Sequence, residues 1–201
     1  MRRGLFFVIL TILLLSLVAC NEDVSKNVKT NTISGAKLTE REDMLLAGTA
    51  DQSFVFDFNA NNQYKEVAVW VEKYESGKLV GELNRMSTEI KNTGTIIFST
   101  AKVNEENDQT RFSISVHSED ATNTTWSPET IKGDNLAMVL GKNPSESMSI
   151  KDKNIVLASM GYSSSEKGIS DLSTDFYSDM GSHIDELKNF DTVYLLRCTF
   201  K

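Results

Sequence analysis

Cysteine and histidine are both scarce in this chain. Its 201 residues contain two of each, Cys20 and Cys198, His117 and His183. A zinc site takes three or four nitrogen or sulfur ligands, and neither histidine belongs to a His-Glu-x-x-His arrangement. No metal site and no cofactor is therefore expected. An EF-hand is missing too, since no Asp-x-Asp-x-Asp-Gly run precedes a suitably placed glutamate. Basic residues are outnumbered, 21 Lys and Arg against 28 Asp and Glu. That balance excludes a nucleic-acid partner, because phosphate binding needs a lysine or arginine stripe. It also excludes adhesion to anionic headgroups by charge alone. No repeat at a fixed period of twenty to fifty residues is present, which removes propellers and solenoids.

The amino terminus carries the clearest signal. Arg2 and Arg3 precede an apolar run from Leu5 to Leu15, and small residues follow before Cys20. A charged start, an apolar segment too short for a permanent span and a small-residue cleavage region define a secretory signal peptide over 1–19. Leu17-Val18-Ala19-Cys20 resembles a bacterial lipobox. The resemblance implies that Cys20 receives a diacylglycerol thioether and becomes the mature N-terminus, which places the protein on the extracytoplasmic face of the cell membrane. Without residues 1–19 the net charge moves from −7 to −9. Further acyl chains would make the hold durable, since a single chain binds only marginally. With Cys20 consumed, Cys198 has no disulfide partner and is expected to behave as a small core hydrophobe.

Residues 21–36 are polar and lack hydrophobic periodicity, so 20–37 reads as a lipidated cysteine and stalk and 38–201 as a single β-rich domain. Thr39 and Glu42 form a capping-box pattern that predicts a short helix over 39–47, with Gly48 as its stop. The period then changes to two. Phe54, Phe56 and Phe58 alternate, as do Val67, Val69 and Val71, the latter around Ala68 and Trp70, which suggests burial on both faces. Glu75-Ser76-Gly77-Lys78 supplies turn chemistry for a hairpin with 79–83. Thr95 to Thr100 forms another β-rich run. Phe112, Ile114 and Val116 alternate with serines, predicting a strand with one wet face.

Ser127-Pro128-Glu129 reads as an N-cap with proline at the first helical position. Residues 136–140 fit a strand or a helix end equally. Ile155 to Met160 reads as a strand paired through a 151–154 turn with Met148-Ser149-Ile150. Leu172, Phe176, Met180, Ile184 and Leu187 mark one face of a helix weakened by Gly181, and 192–200 closes the chain as a strand. About eight strands with one or two short helices predict an antiparallel β-sandwich. The alternatives are a barrel, or an α+β fold with the 172–188 helix packed on a single antiparallel sheet.

Catalytic signals are weak. Gly161-Tyr162-Ser163-Ser164-Ser165 lacks the second glycine of a nucleophile elbow. Carboxylates cluster at Glu105, Glu106 and Asp108 and along Asp171, Asp175 and Asp179, but glycosidase chemistry needs a separation that sequence does not specify. Trp70 and Trp126 with Tyr64, Tyr74, Tyr162 and Tyr177 are candidates for an aromatic platform, although aromatics on strands usually fill a core. Trp126, amid Thr124, Thr125, Ser127 and Pro128, is expected to be exposed on a turn as a ligand contact.

Val69-Trp70-Val71-Glu72-Lys73-Tyr74 and Ile155-Val156-Leu157-Ala158-Ser159 are similar to stretches of uncharacterised lipoproteins of Gram-positive spore-formers. The resemblance implies a tethered extracytoplasmic domain and no catalytic residues. The leading expectation is a non-catalytic module binding a protein or cell-wall partner; the alternative is a wall- or ester-acting hydrolase using carboxylates or Ser163.

Overall fold

In a computed structural model, residues 30–104, 109–133, 135–152, 154–165 and 168–201 are described. Among the described residues, eleven strands form two antiparallel sheets packed as a sandwich. They are β1 (Thr32–Gly35), β2 (Gln52–Asn59), β3 (Glu66–Glu75), β4 (Lys78–Glu89), β5 (Thr93–Asn104), β6 (Gln109–Ser118), β7 (Ala121–Thr130), β8 (Ala137–Lys142), β9 (Met148–Ser149), β10 (Ile155–Ser163) and β11 (Thr192–Phe200). The six-stranded sheet has the order β7-β6-β5-β2-β1-β9 and the five-stranded sheet β4-β3-β11-β10-β8. Two sheets rather than one exclude the single-sheet α+β alternative.

Alternation fills the space between the sheets. Phe54, Phe56 and Phe58 from β2, Ile96 and Phe98 from β5, and Phe112, Ile114 and Val116 from β6 meet Val67, Val69 and Val71 of β3 and Leu196 and Cys198 of β11. Rings bridge the layers, with Phe112 4.8 Å from Tyr194 and Phe58 5.4 Å from Phe200. Cys198 is fully buried, as its apolar surroundings predict. The β4–β7 side is tied by polar cross-links. Asn84 Nδ2 donates to the Phe112 carbonyl at 2.6 Å, Asn123 Nδ2 to Thr88 Oγ1 at 2.8 Å, and Lys73 Nζ sits 2.8 Å from Glu129 Oε1.

The β3–β4 hairpin turns on Ser76 and Gly77, at φ 48 and 80, the pair of positive values that a tight two-residue hairpin loop requires. A Cβ on Gly77 would also lie 2.6 Å from Lys188 Cγ. Helix α1 (Glu40–Ala47) carries the expected capping box. Gly48 ends it in a right-handed conformation, not the left-handed one its identity suggests.

Several expectations are corrected. The sheet begins with β1, whose Ile33 is fully buried and which pairs with β2 and β9, so residues 32–37 belong to the domain and not to a stalk. Met148-Ser149 pairs with β1 in the opposite sheet, while β10 pairs with β8 and β11. Residues 137–142 are a strand. Ser127-Pro128-Glu129 is not helical but lies in β7, the last strand of its sheet, where a proline costs no interior ladder bond.

The 172–188 helix is broken into α2 (Thr174–Ser178), α3 (Met180–His183) and a 3-10 helix at Ile184–Asn189. Asp179, at φ −142 and ψ 74, interrupts it and caps the next piece by accepting the Ser182 amide. Short polar side chains compete for backbone groups in this way and shorten helices. The apolar face survives the breaks. Leu172, Phe176 and Leu187 pack with Val193 and Leu195 on the outer side of the five-stranded sheet.

Candidate functional site

The five-stranded sheet's outer side is closed by these helical turns and by a buried charged network. Trp70, Glu72 and Tyr74 alternate on β3 and share a face. Trp70 Nε1 donates to Glu72 Oε1 at 3.0 Å, Tyr74 Oη to Oε2 at 2.8 Å, and Arg197 Nη1 to both oxygens at 2.9 and 2.8 Å. Arg85 stacks over the Trp70 indole at 4.0 Å. Burial, followed by the bond to Glu72, pushes the Tyr74 phenol well above its ordinary value. The network was missed from sequence, although Trp-x-Glu-x-Tyr spacing on a strand was its signal. Its side chains are engaged with one another.

The six-stranded sheet presents the other outer side, and register assigns its occupants. Ser53, Ser99, Ser113 and Trp126 stand opposite one another across β2, β5, β6 and β7. The neighbouring row is Val55, Ile97, Ser115 and Thr124, and the next is Asp57, Thr95, His117 and Thr122. Trp126 is 62 % exposed, on a strand rather than the expected turn. Thr122 and Thr124 are exposed beside it on β7, while Val55 at the β2 margin is buried.

Small hydroxyl side chains thus make a shallow shelf with one indole standing on it. Hydrogen bonds organise the shelf laterally. Ser115 Oγ and Thr124 Oγ1 are 2.9 Å apart, His117 Nδ1 and Thr122 Oγ1 2.9 Å, and Thr95 Oγ1 donates to Asp57 Oδ1 at 2.8 Å. Asp57 is the only Asp, Glu, Lys or Arg in the three rows. With alternate residues about 6.8 Å apart and strands about 4.8 Å apart, the rows span roughly 14 by 14 Å. Such a surface offers donors, acceptors and an aromatic plane.

A model of the YgaN domain family matches residues 32–200, from the first residue of β1 to the last of β11. The chain belongs to the YgaN domain family. The match takes in the β1 segment first assigned to the stalk, in agreement with its place in the sheet. No curated protein matches the chain, and no solved structure does.

The other candidate residues of this YgaN domain are dispersed. Ser163 is buried at the end of β10, where its hydroxyl accepts the Ser165 amide. His117 is bonded to Thr122, and His183 faces Glu186 at 3.3 Å. Neither is brought to Ser163 by these contacts. Cys20, Glu105, Glu106 and Asp108 lie outside the described residues. Asp171, Asp175 and Asp179 do not share one helix face, because the helix is broken. Asp171 accepts the Leu172 amide, and Asp179 caps Ser182.

Asp179 does line a cleft of about 500 Å³ with Asp152, Asn154, Tyr177 and Arg197. Bonds from Ser182 hold its carboxyl below the usual range, the wrong direction for a general acid. Every described carboxylate with a perturbed titration, Glu42, Glu82, Asp179, Glu186 and Asp191, is shifted the same way. Among the described residues, no three His, Cys, Asp or Glu converge as a metal site. The aromatic platform does not assemble either. Trp70, Tyr74, Tyr162 and Tyr177 are buried, and Tyr64 packs against Phe200 at 6.4 Å.

Proposed function

We propose that this protein is a lipid-anchored extracytoplasmic binding module, held in the cell membrane through Cys20 and capturing its ligand on the outer side of the six-stranded sheet around Trp126. The observation that carries the binding reading is the exposed indole, 62 % accessible on a ladder-bonded strand among hydroxyl side chains. A rigid aromatic brings contact area at low entropy cost.

The anchor reading rests on Arg2, Arg3, the apolar run and Leu17-Val18-Ala19-Cys20. No helix among the described residues is long and apolar enough to cross a membrane; the proposal of a lipid on Cys20 rests on the lipobox resemblance alone. Nine residues lie between Cys20 and Thr30, so the two are at most about 35 Å apart along the chain. The ligand-binding side therefore works close to the membrane, against a wall component or a protein at the cell surface.

Metabolic labelling tests the anchor. Wild type should incorporate labelled fatty acid and partition with membranes, and Cys20→Ala should do neither. Equal incorporation by both proteins refutes the anchor.

A further inference from the structure

We propose that the ligand of the Trp126 face is a neutral polysaccharide; this rests on the reading of that face as a binding surface. The sequence as a whole is 24 % Asp, Glu, Lys and Arg, yet the three rows hold Asp57 alone. Strand faces in water ordinarily alternate apolar-in with charged or polar-out, and here the low charge is confined to the three rows, with the exposed Arg111 in the next row opposite Pro128. What replaces charge is a block of hydroxyls, each one donor and two acceptors. A polyhydroxylated chain offers the same mixture of donors and acceptors. An uncharged ligand also leaves no unpaired ion when water is expelled.

The layout suits an extended chain. Ser53, Ser99 and Ser113 carry the shortest side chains and lie in one row that ends at Trp126. The ligand has a shallow floor about 14 Å long at strand spacing, with an indole at its end to stack on a pyranose face. Sugar C–H groups are apolar on that face and complement the electron-rich ring. Thr124 and Ser115, already bonded to each other at 2.9 Å, flank the row with spare acceptors.

Other occupants fit worse. An anionic wall polymer meets a domain of net negative charge and a shelf without lysine. A protein partner would seek apolar anchors to bury, and around Trp126 it finds threonines, serines, Pro128 and the exposed Arg111. A second copy would set serine rows against serine rows around two indoles.

Detergent-solubilised full-length lipoprotein titrated calorimetrically with cellohexaose, chitohexaose and mannohexaose tests the proposal, with polygalacturonate as the anionic comparison. At least one neutral hexasaccharide should bind and polygalacturonate should not. Trp126→Ala should weaken binding by about tenfold or more, the scale of losing an anchoring aromatic. Ser113→Lys, which raises a long cation from the floor, should do the same and serves if Trp126→Ala folds poorly. Thermal midpoints of both variants should stay near wild type.

If no neutral hexasaccharide binds but Trp126→Ala abolishes a protein cross-link formed on intact cells, the polysaccharide is refuted while the binding face stands. If Trp126→Ala converts a dimer to a monomer in sedimentation, the occupant is a second copy and the proposal is overturned. If the variants change neither binding nor cross-linking, both readings fail.

Discussion

Replacing Glu72 by Gln should be among the most damaging conservative changes in this protein. The carboxylate is nearly inaccessible, and Arg197, its ionic partner, has a side chain only 14 % exposed. Four donated contacts reach its two oxygens, from Trp70, Tyr74 and twice from Arg197. Glutamine keeps one oxygen and turns the other into a donor that faces donors. The change removes charge-assisted bonds and strands a guanidinium in the interior, at a cost of about 3–5 kcal/mol for one half of a buried pair. The loss is less complete if water reaches Arg197 from the adjoining cleft, so the lower end is the sharper expectation.

For a domain of this size each kcal/mol moves the melting midpoint by about 2–4 °C. A fall of roughly 6–20 °C should follow. Denaturant titration should show a lower midpoint at unchanged slope, because the surface exposed on unfolding is the same. Glu82→Gln is the control. Its pair with Arg85 has side chains 45 % and 40 % exposed, and breaking such a pair should cost at most about 1 kcal/mol. If Glu72→Gln melts within the error of Glu82→Gln, the network is not what holds the outer side of the five-stranded sheet.

Two further outcomes follow from burial and hydrogen bonding. Burial pushes the Glu186 carboxyl up, but bonds from the Ser173 amide at 2.8 Å and hydroxyl at 2.6 Å, aided by His183, bring it below its ordinary value on balance. A depressed carboxylate stabilises the fold above its unfolded pKa, about 4.3, and that contribution disappears as the pH falls through the folded value. Glu186→Gln should therefore lower stability at pH 7 by about 1 kcal/mol, and the gap from wild type should close between pH 5 and about 3. A gap independent of pH in chemical denaturation refutes the assignment. Burial likewise pushes the Cys198 thiol far up. In a Cys20→Ala background its reaction with a disulfide reagent at pH 8 should proceed only at the rate of unfolding, and modification at the rate of a free thiol would show that β11 is exposed.

What the sequence determined was local or periodic. The alternations at 54–58, 67–71 and 112–116 have a period that only a strand satisfies, and Ser76-Gly77 supplies the two positive φ values of its turn, so β2, β3, β6 and the β3–β4 hairpin were legible. The sandwich followed from many such short runs. The capping box at Thr39 was equally plain, because both halves of it lie within four residues.

The unreadable parts are those whose reason lies elsewhere in the chain. Thr32–Gly35 offers one apolar residue and no period, and it is a strand because β2 and β9 present backbone partners on both sides. β7 shows no alternation because its inward Glu129 meets Lys73, a polar contact between sheets, and its place at the sheet edge admits Pro128. Glu72 and Arg197 stand 125 positions apart, and nothing near either predicts the other. Trp126 could be singled out as an exposed aromatic, but the serine shelf beside it exists only through register. A one-residue slip of β5 or β6 would turn those hydroxyls into the core and the phenylalanines into water. Burial of Phe98 and Phe112 therefore fixes which side chains form the serine shelf, and tertiary packing alone supplies that constraint.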